Sequence, residues 1–254
     1  MTRVIMRGCN GRMGQIISGI AADDDSVEIV AGVDITGQGQ NAYPVFANLK
    51  DCDVEADVVI DFSNASVVQE MIELMETCMK KGLPIVLCTT GLNEEQLYAV
   101  NEASKHVAVL RSANMSLGIN VLLKLLKEAA GVLAPAGFDI EIVEKHHNQK
   151  LDAPSGTALA LADSINDELE GAYEYVYDRS QVRQKREKKE IGISAVRGGT
   201  IVGDHDVIFA GEDEVITFSH RAYSKAVFGK GALEAAKFLA GKPAGMYDMS
   251  DVIE

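Results

Sequence analysis

Two rhythms of apolar residues alternate along the first half of this chain. Val4-Ile-Met6, between Arg3 and Arg7, is a short apolar run of the kind a buried strand makes. Glycines at 8, 11 and 14 interrupt it, and Ile16, Ile17, Ile20 and Ala21 then fall at helical spacing. Residues 27–33 form a second apolar run that ends on Asp34, and residues 35–50 read as loop. Residues 57–61 are a buried strand and residues 65–81 a helix with Val68, Ile72 and Met75 along one face. Residues 84–88 are a strand, residues 93–104 a helix capped by Asn93 with Glu94 and Glu95 in its first turn, and residues 106–110 a further strand. This alternation predicts an α/β fold, a doubly wound parallel sheet of the Rossmann type with ligands at the C-terminal strand ends.

Beyond residue 114 the rhythm changes. Residues 115–134 are a long helix with Ile119, Leu122, Leu123, Leu125 and Leu126 in its apolar stripe. Residues 138–144 alternate as a half-buried strand does and lead into His146 and His147. A helix at 158–169 follows, then a loop at 171–177 and strands at 191–196, 200–209 and 214–220, with Arg197-Gly-Gly-Thr200 as a turn. Residues 225–240 are a last helix, and residues 245–249 close the chain. Residues 114–224 thus read as an α+β domain.

Composition narrows the function. The chain has 254 residues, 47% of them hydrophobic, enough for a sizeable core. No apolar run approaches the roughly 18 residues of a membrane span. The N-terminus runs straight into a strand, so no signal or transit peptide is expected. Cys9, Cys52, Cys78 and Cys88 lack paired metal spacing, which suits reduced thiols in the cytoplasm. A net charge of −14 argues against nucleic-acid binding and makes clustered cations informative. The dense basic run at 179–189 is either a solvated loop or a segment near anionic ligands.

Two stretches carry candidate chemistry. Gly8, Cys9, Asn10, Gly11, Arg12 and Met13 form a glycine turn between strand and helix, where backbone can approach a pyrophosphate. Asp34 lies 34 − 14 = 20 residues beyond Gly14, where a carboxylate accepts hydrogen bonds from the adenosine ribose. The plain alternative is a glycine turn and a solvated Asp without a ligand. A carboxylate at 34 repels a 2′-phosphate, and residues 35–40 contain no Arg or Lys, so NADH is the expected cofactor, with Arg12 leaving room for NADPH. The second stretch runs from Glu141 to Ala158. His146 and His147 are adjacent, Lys150 follows, and Ser155-Gly156-Thr157 opens a helix whose N–H groups can hold a carboxylate. Three readings of the histidines stand side by side: a general acid beside a substrate-binding His, a metal site with Glu144 or Asp152, or two structural histidines. Gly203-Asp-His-Asp206 also hints at a metal, but sheet structure accounts for it, and no metal is expected.

Glu-x-His-His-x-x-Lys-x-Asp-Ala-Pro-Ser-Gly-Thr-Ala, from Glu144 to Ala158, resembles the signature of the dihydrodipicolinate reductase family. The resemblance implies His146 as acid/base, Lys150 as proton donor, and His147, Gly156 and Thr157 as substrate-binding residues. It implies cofactor contacts at the other strand ends, Cys88, Thr89 and Thr90, and Ser112, Ala113, Asn114 and Met115. For Thr89 and Thr90 ordinary turn chemistry is the competing account. Cys88 stands where the family has Gly, Ser63-Asn-Ala65 where it has Thr-x-Pro, and Ile35 where dual-specificity members have Arg. The family further implies a discontinuous dinucleotide-binding domain, residues 1–113 and 225–254. A substrate-binding and oligomerisation domain at 114–224 would carry an open mixed sheet and build a homotetramer. The implied reaction is NAD(P)H-dependent reduction of 4-hydroxy-tetrahydrodipicolinate to tetrahydrodipicolinate, with loss of water, in the diaminopimelate pathway of lysine biosynthesis. The alternatives are another nicotinamide-dependent reductase or amino-acid dehydrogenase of this architecture, and a non-catalytic NADH sensor.

Overall fold

A computed structural model describes residues 1–66 and 68–253 of the chain. The elements begin β1 (Thr2–Arg7), α1 (Arg12–Ala22), β2 (Val27–Val33), β3 (Val45–Phe46), β4 (Val58–Asp61) and α2 (Val68–Lys81). They continue β5 (Ile85–Leu87), α3 (Glu94–Ser104), β6 (Ala108–Arg111), α4 (Leu117–Leu133), β7 (Asp139–His146) and α5 (Gly156–Glu168). Next come β8 (Glu174–Tyr177), β9 (Glu190–Arg197), β10 (Gly203–Ala210) and β11 (Val215–Ala222). The chain ends α6 (Ala226–Leu239), β12 (Gly245–Tyr247) and α7 (Met249–Val252). Two compact units result, Met1–Leu117 with Ala226–Glu254, and Gly118–Lys225.

The first unit is a seven-stranded sheet in the order β12-β6-β5-β4-β1-β2-β3, every pair parallel. Its strands are short apolar runs because both faces are covered. One core gathers Val4, Met6, Ile17, Ile60, Leu110 and the α6 residue Leu239; the other gathers Ile5, Val59, Leu74, Ile85 and Val109. The chain leaves β1 towards β2 on one side and returns to β4 on the other, so the strand order reverses beside β1, where open α/β sheets bind ligands. Asn93 caps α3 in a capping box: its side chain accepts from Gln96 N–H, and the Gln96 side chain accepts from Asn93 N–H, both at 2.9 Å.

The second unit is a five-stranded mixed sheet in the order β11-β10-β7-β9-β8. β7 pairs in parallel with β9 and antiparallel with β10. Its burial alternates strictly, so Ile140, Ile142, Glu144 and His146 share the buried face. The apolar members pack with Leu126, Leu161, Ile165 and Phe209 in one core.

Several predicted bounds shift. Residues 171–177, expected as loop, contain the edge strand β8, parallel to β9. Only four residues long and half-exposed, it is held by that pairing and by Tyr175, whose hydroxyl donates to Asp163 at 2.7 Å. Residues 35–50 likewise carry the two-residue β3, which pairs with β2, and the start of a short 3-10 turn at Leu49–Asp51. Helix α2 begins at Val68, after a turn at Ala65 and Ser66; Val67 lies outside the described residues. Within the basic run, Arg179 pairs with Glu141 and Glu190, and Arg186 with Asp139 and Glu141. These acids sit at the start of β7 and β9, the opposite end of β7 from His146, so both arginines staple the loop to the sheet. Among the described residues no helix is long and apolar enough to cross a membrane.

Candidate active site

In the first unit the glycine turn joins β1 to α1. Gly8 takes φ +78°, and a Cβ there would lie 2.7 Å from the Phe62 carbonyl oxygen. A Cβ on Gly14 would lie 2.3 Å from the Gly8 carbonyl oxygen. Helix α1 starts behind Gly11 with no side-chain cap and no acid in its first turn, which leaves its positive end to an anion. Asp34 follows β2. Its carboxylate accepts from Asn10 N–H at 3.1 Å, Thr36 N–H at 3.0 Å and the Thr36 hydroxyl at 2.7 Å. Burial opposes its ionisation, but these hydrogen bonds prevail and hold its carboxyl below the ordinary value.

A cleft of about 570 Å³ opens here, lined among others by Gly8, Gly11, Asp34, Arg7 and Lys50. Beside it Arg7 donates to the buried Asp61 at 2.8 Å and to the Ser63 hydroxyl, and Thr89 donates to Asp61 at 2.6 Å. A bare glycine cradle, an uncapped helix start and an anchored carboxylate fit a dinucleotide: Gly8, Gly11 and the α1 N-terminus suit its diphosphate, Asp34 a ribose.

The other predicted cofactor positions fall as follows. Cys9 is buried and Asn10 half-buried within the turn, while Arg12 is exposed and Met13 half-buried at the start of α1. Cys88, Thr89 and Thr90 follow β5; Ser112, Ala113, Asn114 and Met115 follow β6. The Cys9 and Met115 side chains belong to the hydrophobic core, so only their backbone is open to a ligand.

In the second unit β7 delivers His146 to a buried polar cluster. Glu144 is wholly buried and accepts from Arg197 Nη1 and Nη2 at 2.8 and 2.7 Å and from Ser155 N–H at 2.9 Å. The same carboxylate meets His146 Nδ1 at 2.6 Å. Burial opposes ionisation, but Arg197, His146 and the Ser155 N–H together hold the Glu144 carboxyl below its ordinary value. His205 stacks edge-on against His146 with ring centroids 5.2 Å apart, and its Nε2 lies 3.0 Å from the Ser155 hydroxyl. Burial, with the neighbouring His146 adding to it, pushes the His205 imidazole down to about 4, so this ring is neutral. The Ser155 hydroxyl also accepts from Ala158 N–H at 3.1 Å, capping α5.

His147 lies just past the strand, half-buried. The Lys150 ammonium pairs with Asp152 at 2.9 Å. Lys150, and also the Gly156 N–H, hold the Asp152 carboxyl below its ordinary value against the pull of burial. Gly156 and Thr157 form the first turn of α5. Sequence reasoning left Arg197 as a turn residue and His205 as sheet structure, and it overlooked Lys50; only strand pairing and chain return bring them in. Among the described residues no group of three His, Cys, Asp or Glu gathers as a metal site.

Comparison with known proteins gives concordant matches. Residues 2–115 match the family model described as dihydrodipicolinate reductase, N-terminus, and residues 118–253 the one described as dihydrodipicolinate reductase, C-terminus. The chain is 55% identical over 254 residues to the 4-hydroxy-tetrahydrodipicolinate reductase of Caldanaerobacter subterraneus subsp. tengcongensis, covering 100% of this chain and 99% of that one. It is 52% identical over 249 residues to the protein of the same name from Clostridium tetani, covering 98% and 96%. The solved structure of a dipicolinate-bound dihydrodipicolinate reductase from a Paenisporosarcina species shares the fold, with TM-score 0.81 and 24% identity over 100% of both chains.

Proposed function

Because the chain belongs to the dihydrodipicolinate reductase family and is an oxidoreductase, we propose that it reduces 4-hydroxy-tetrahydrodipicolinate to tetrahydrodipicolinate, with loss of water, in the diaminopimelate route to lysine. The first unit, as the dinucleotide-binding domain, binds the nicotinamide cofactor. The second, as the substrate domain, binds the dicarboxylate. The observation that carries the reading is His146, buried at the end of β7 on the Glu144 carboxylate and followed by Lys150 and by Gly156 at the start of α5, where a Cβ would meet nothing within 4 Å. A nicotinamide dinucleotide, when bound, would supply a hydride to the conjugated unsaturated cyclic imine left by water loss, at the ring carbon that carried the hydroxyl. His146 or Lys150 gives the proton that quenches the resulting enamine. His147, Gly156 and Thr157 bind the substrate. Asp152 models the carboxylate: it rests on the Lys150 ammonium and the Gly156 N–H, and a substrate carboxylate takes its place there. The Lys150 ammonium then offsets charge that builds on the ring.

Cys88, Thr89, Thr90, Ser112, Ala113, Asn114 and Met115 join the glycine turn and Asp34 in holding the cofactor. The anchored Asp34 favours NADH over NADPH, and Lys50 in the same cleft supports residual NADPH use. The enzyme works in the cytoplasm as a homotetramer. Exposed Val196, Val215 and Tyr223 on the second unit suit burial in such an assembly, and light scattering tests it.

The decisive assay follows NADH oxidation with the heterocycle generated in situ from pyruvate and aspartate semialdehyde. Turnover that requires the heterocycle, and falls roughly a hundredfold or more in Lys150→Ala, is expected. NADH binding without turnover overturns the reaction. Lys50→Ala should lower NADPH use several-fold and leave NADH use unchanged; equal losses on both cofactors would remove Lys50 from cofactor choice.

A further inference from the structure

The Glu144 carboxylate is placed to do more than fill a buried corner. It is wholly enclosed, and its two oxygens meet both Arg197 Nη atoms, the Ser155 N–H and His146 Nδ1 at 2.6–2.9 Å. An ionised carboxylate only accepts hydrogen bonds, so His146 Nδ1 must be the donor. That fixes which nitrogen of the neutral ring carries the proton. The opposite nitrogen, Nε2, faces Gly203, where a Cβ would lie 3.0 Å from it. Glycine at 203 therefore keeps a side chain off the ring atom left for chemistry.

We propose that Glu144 is a positioning residue for the reaction: anchored by Arg197, it holds His146 through Nδ1–H so that Nε2 is the atom that carries and releases the proton, and through the Ser155 N–H it locks this ring to the start of α5. The inference rests on the reading of His146 as the acid. It also accounts for the proton. The imidazolium gives up Nε2–H and becomes the neutral Nδ1–H ring, while Glu144 stays an anion throughout. The charged and titratable groups that face His146 agree with this. Glu144 comes from its own strand, Arg197 from β9 and His205 from β10, with His220 and Asp204 behind His205. Arg197 keeps Glu144 ionised, and the neutral His205 packs against the ring without adding a competing charge.

The test reads the ring directly. Histidine labelled with ¹⁵N reports the His146 tautomer by NMR in the substrate-free wild type, Glu144→Gln and Glu144→Asp. In the wild type the neutral ring should carry its proton on Nδ1. A Gln amide can turn its NH₂ towards Nδ1, so Glu144→Gln should shift the tautomer towards Nε2–H. It should lower kcat roughly a hundredfold or more with KM for NADH unchanged, and Glu144→Asp should recover part of both effects. An Nε2–H ring in the wild type overturns the proposal, as does a folded Gln variant in which either tautomer or kcat is unchanged. If Glu144→Gln does not fold by circular dichroism, the wild-type tautomer and the Asp variant decide. Should the wild type not turn over the heterocycle, the reductase reading fails, and the tautomer comparison, which needs no substrate, still decides the role of Glu144.

Discussion

Buried beside His146, His205 has its Nε2 on the Ser155 hydroxyl and its Nδ1 without a partner among the described residues. Its imidazole is held down to about 4 by burial, whereas an unfolded histidine titrates near about 6.5. Between those values the unfolded chain binds a proton that the native chain does not. Stability is therefore whole above about pH 6.5 and falls as pH drops towards about 4, by at most about 3 kcal/mol. Melting temperatures measured across that window should decline with acid, and His205→Gln should flatten the decline; an identical slope in the variant would mean another group is responsible. Glu144, with its carboxyl held below the usual range, loses its contribution at still lower pH. Arg197→Ala leaves Glu144 enclosed without its cation, and about 3 kcal/mol or more of stability should be lost in urea titrations.

At the scale of elements, the starts of helices carry much of the design. The Asn93 capping box satisfies a donor at the head of α3, and Asn93→Ala should cost about 1 kcal/mol, seen as a lower urea midpoint with cofactor affinity intact. Helix α1 has the reverse arrangement. Its Gly11 start is uncapped, which suits a ligand rather than self-stabilisation. β7 shows how one strand serves both fold and chemistry. Its buried face passes from Ile140 and Ile142 to Glu144 and His146 without a break in alternation, so the core positions the polar pair. The fold around these elements was largely legible, because parallel strands and amphipathic helices leave strong periodic signals. β8 was not, since a four-residue edge strand takes its conformation from pairing with β9 and carries little signal of its own.

At the scale of the whole molecule, the first unit is assembled from both ends of the chain. Helix α6 supplies Ala232, Leu233, Ala235, Ala236 and Leu239 to its core, and β12 pairs with β6. Gly231 is part of the same fit, since a Cβ there would fall 1.6 Å from the Met115 carbonyl oxygen. A chain ending after residue 225 should therefore fail to form this unit. Circular dichroism and NADH binding check that outcome, and native-like cofactor binding by the truncated chain would refute it.

By itself the sequence determined the alternation of strands and helices, the glycine turn with its distant Asp34, and the run from Glu144 to Ala158, because each of these is local and encoded in spacing. Tertiary structure alone decided that Arg197 and His205 surround Glu144, 53 residues from the first and paired directly with the second across β7 and β10. It also decided that Lys50 shares a cleft with Asp34. These neighbours depend on strand register and on where the chain returns, which follow from packing the whole sheet and leave no pattern along the chain.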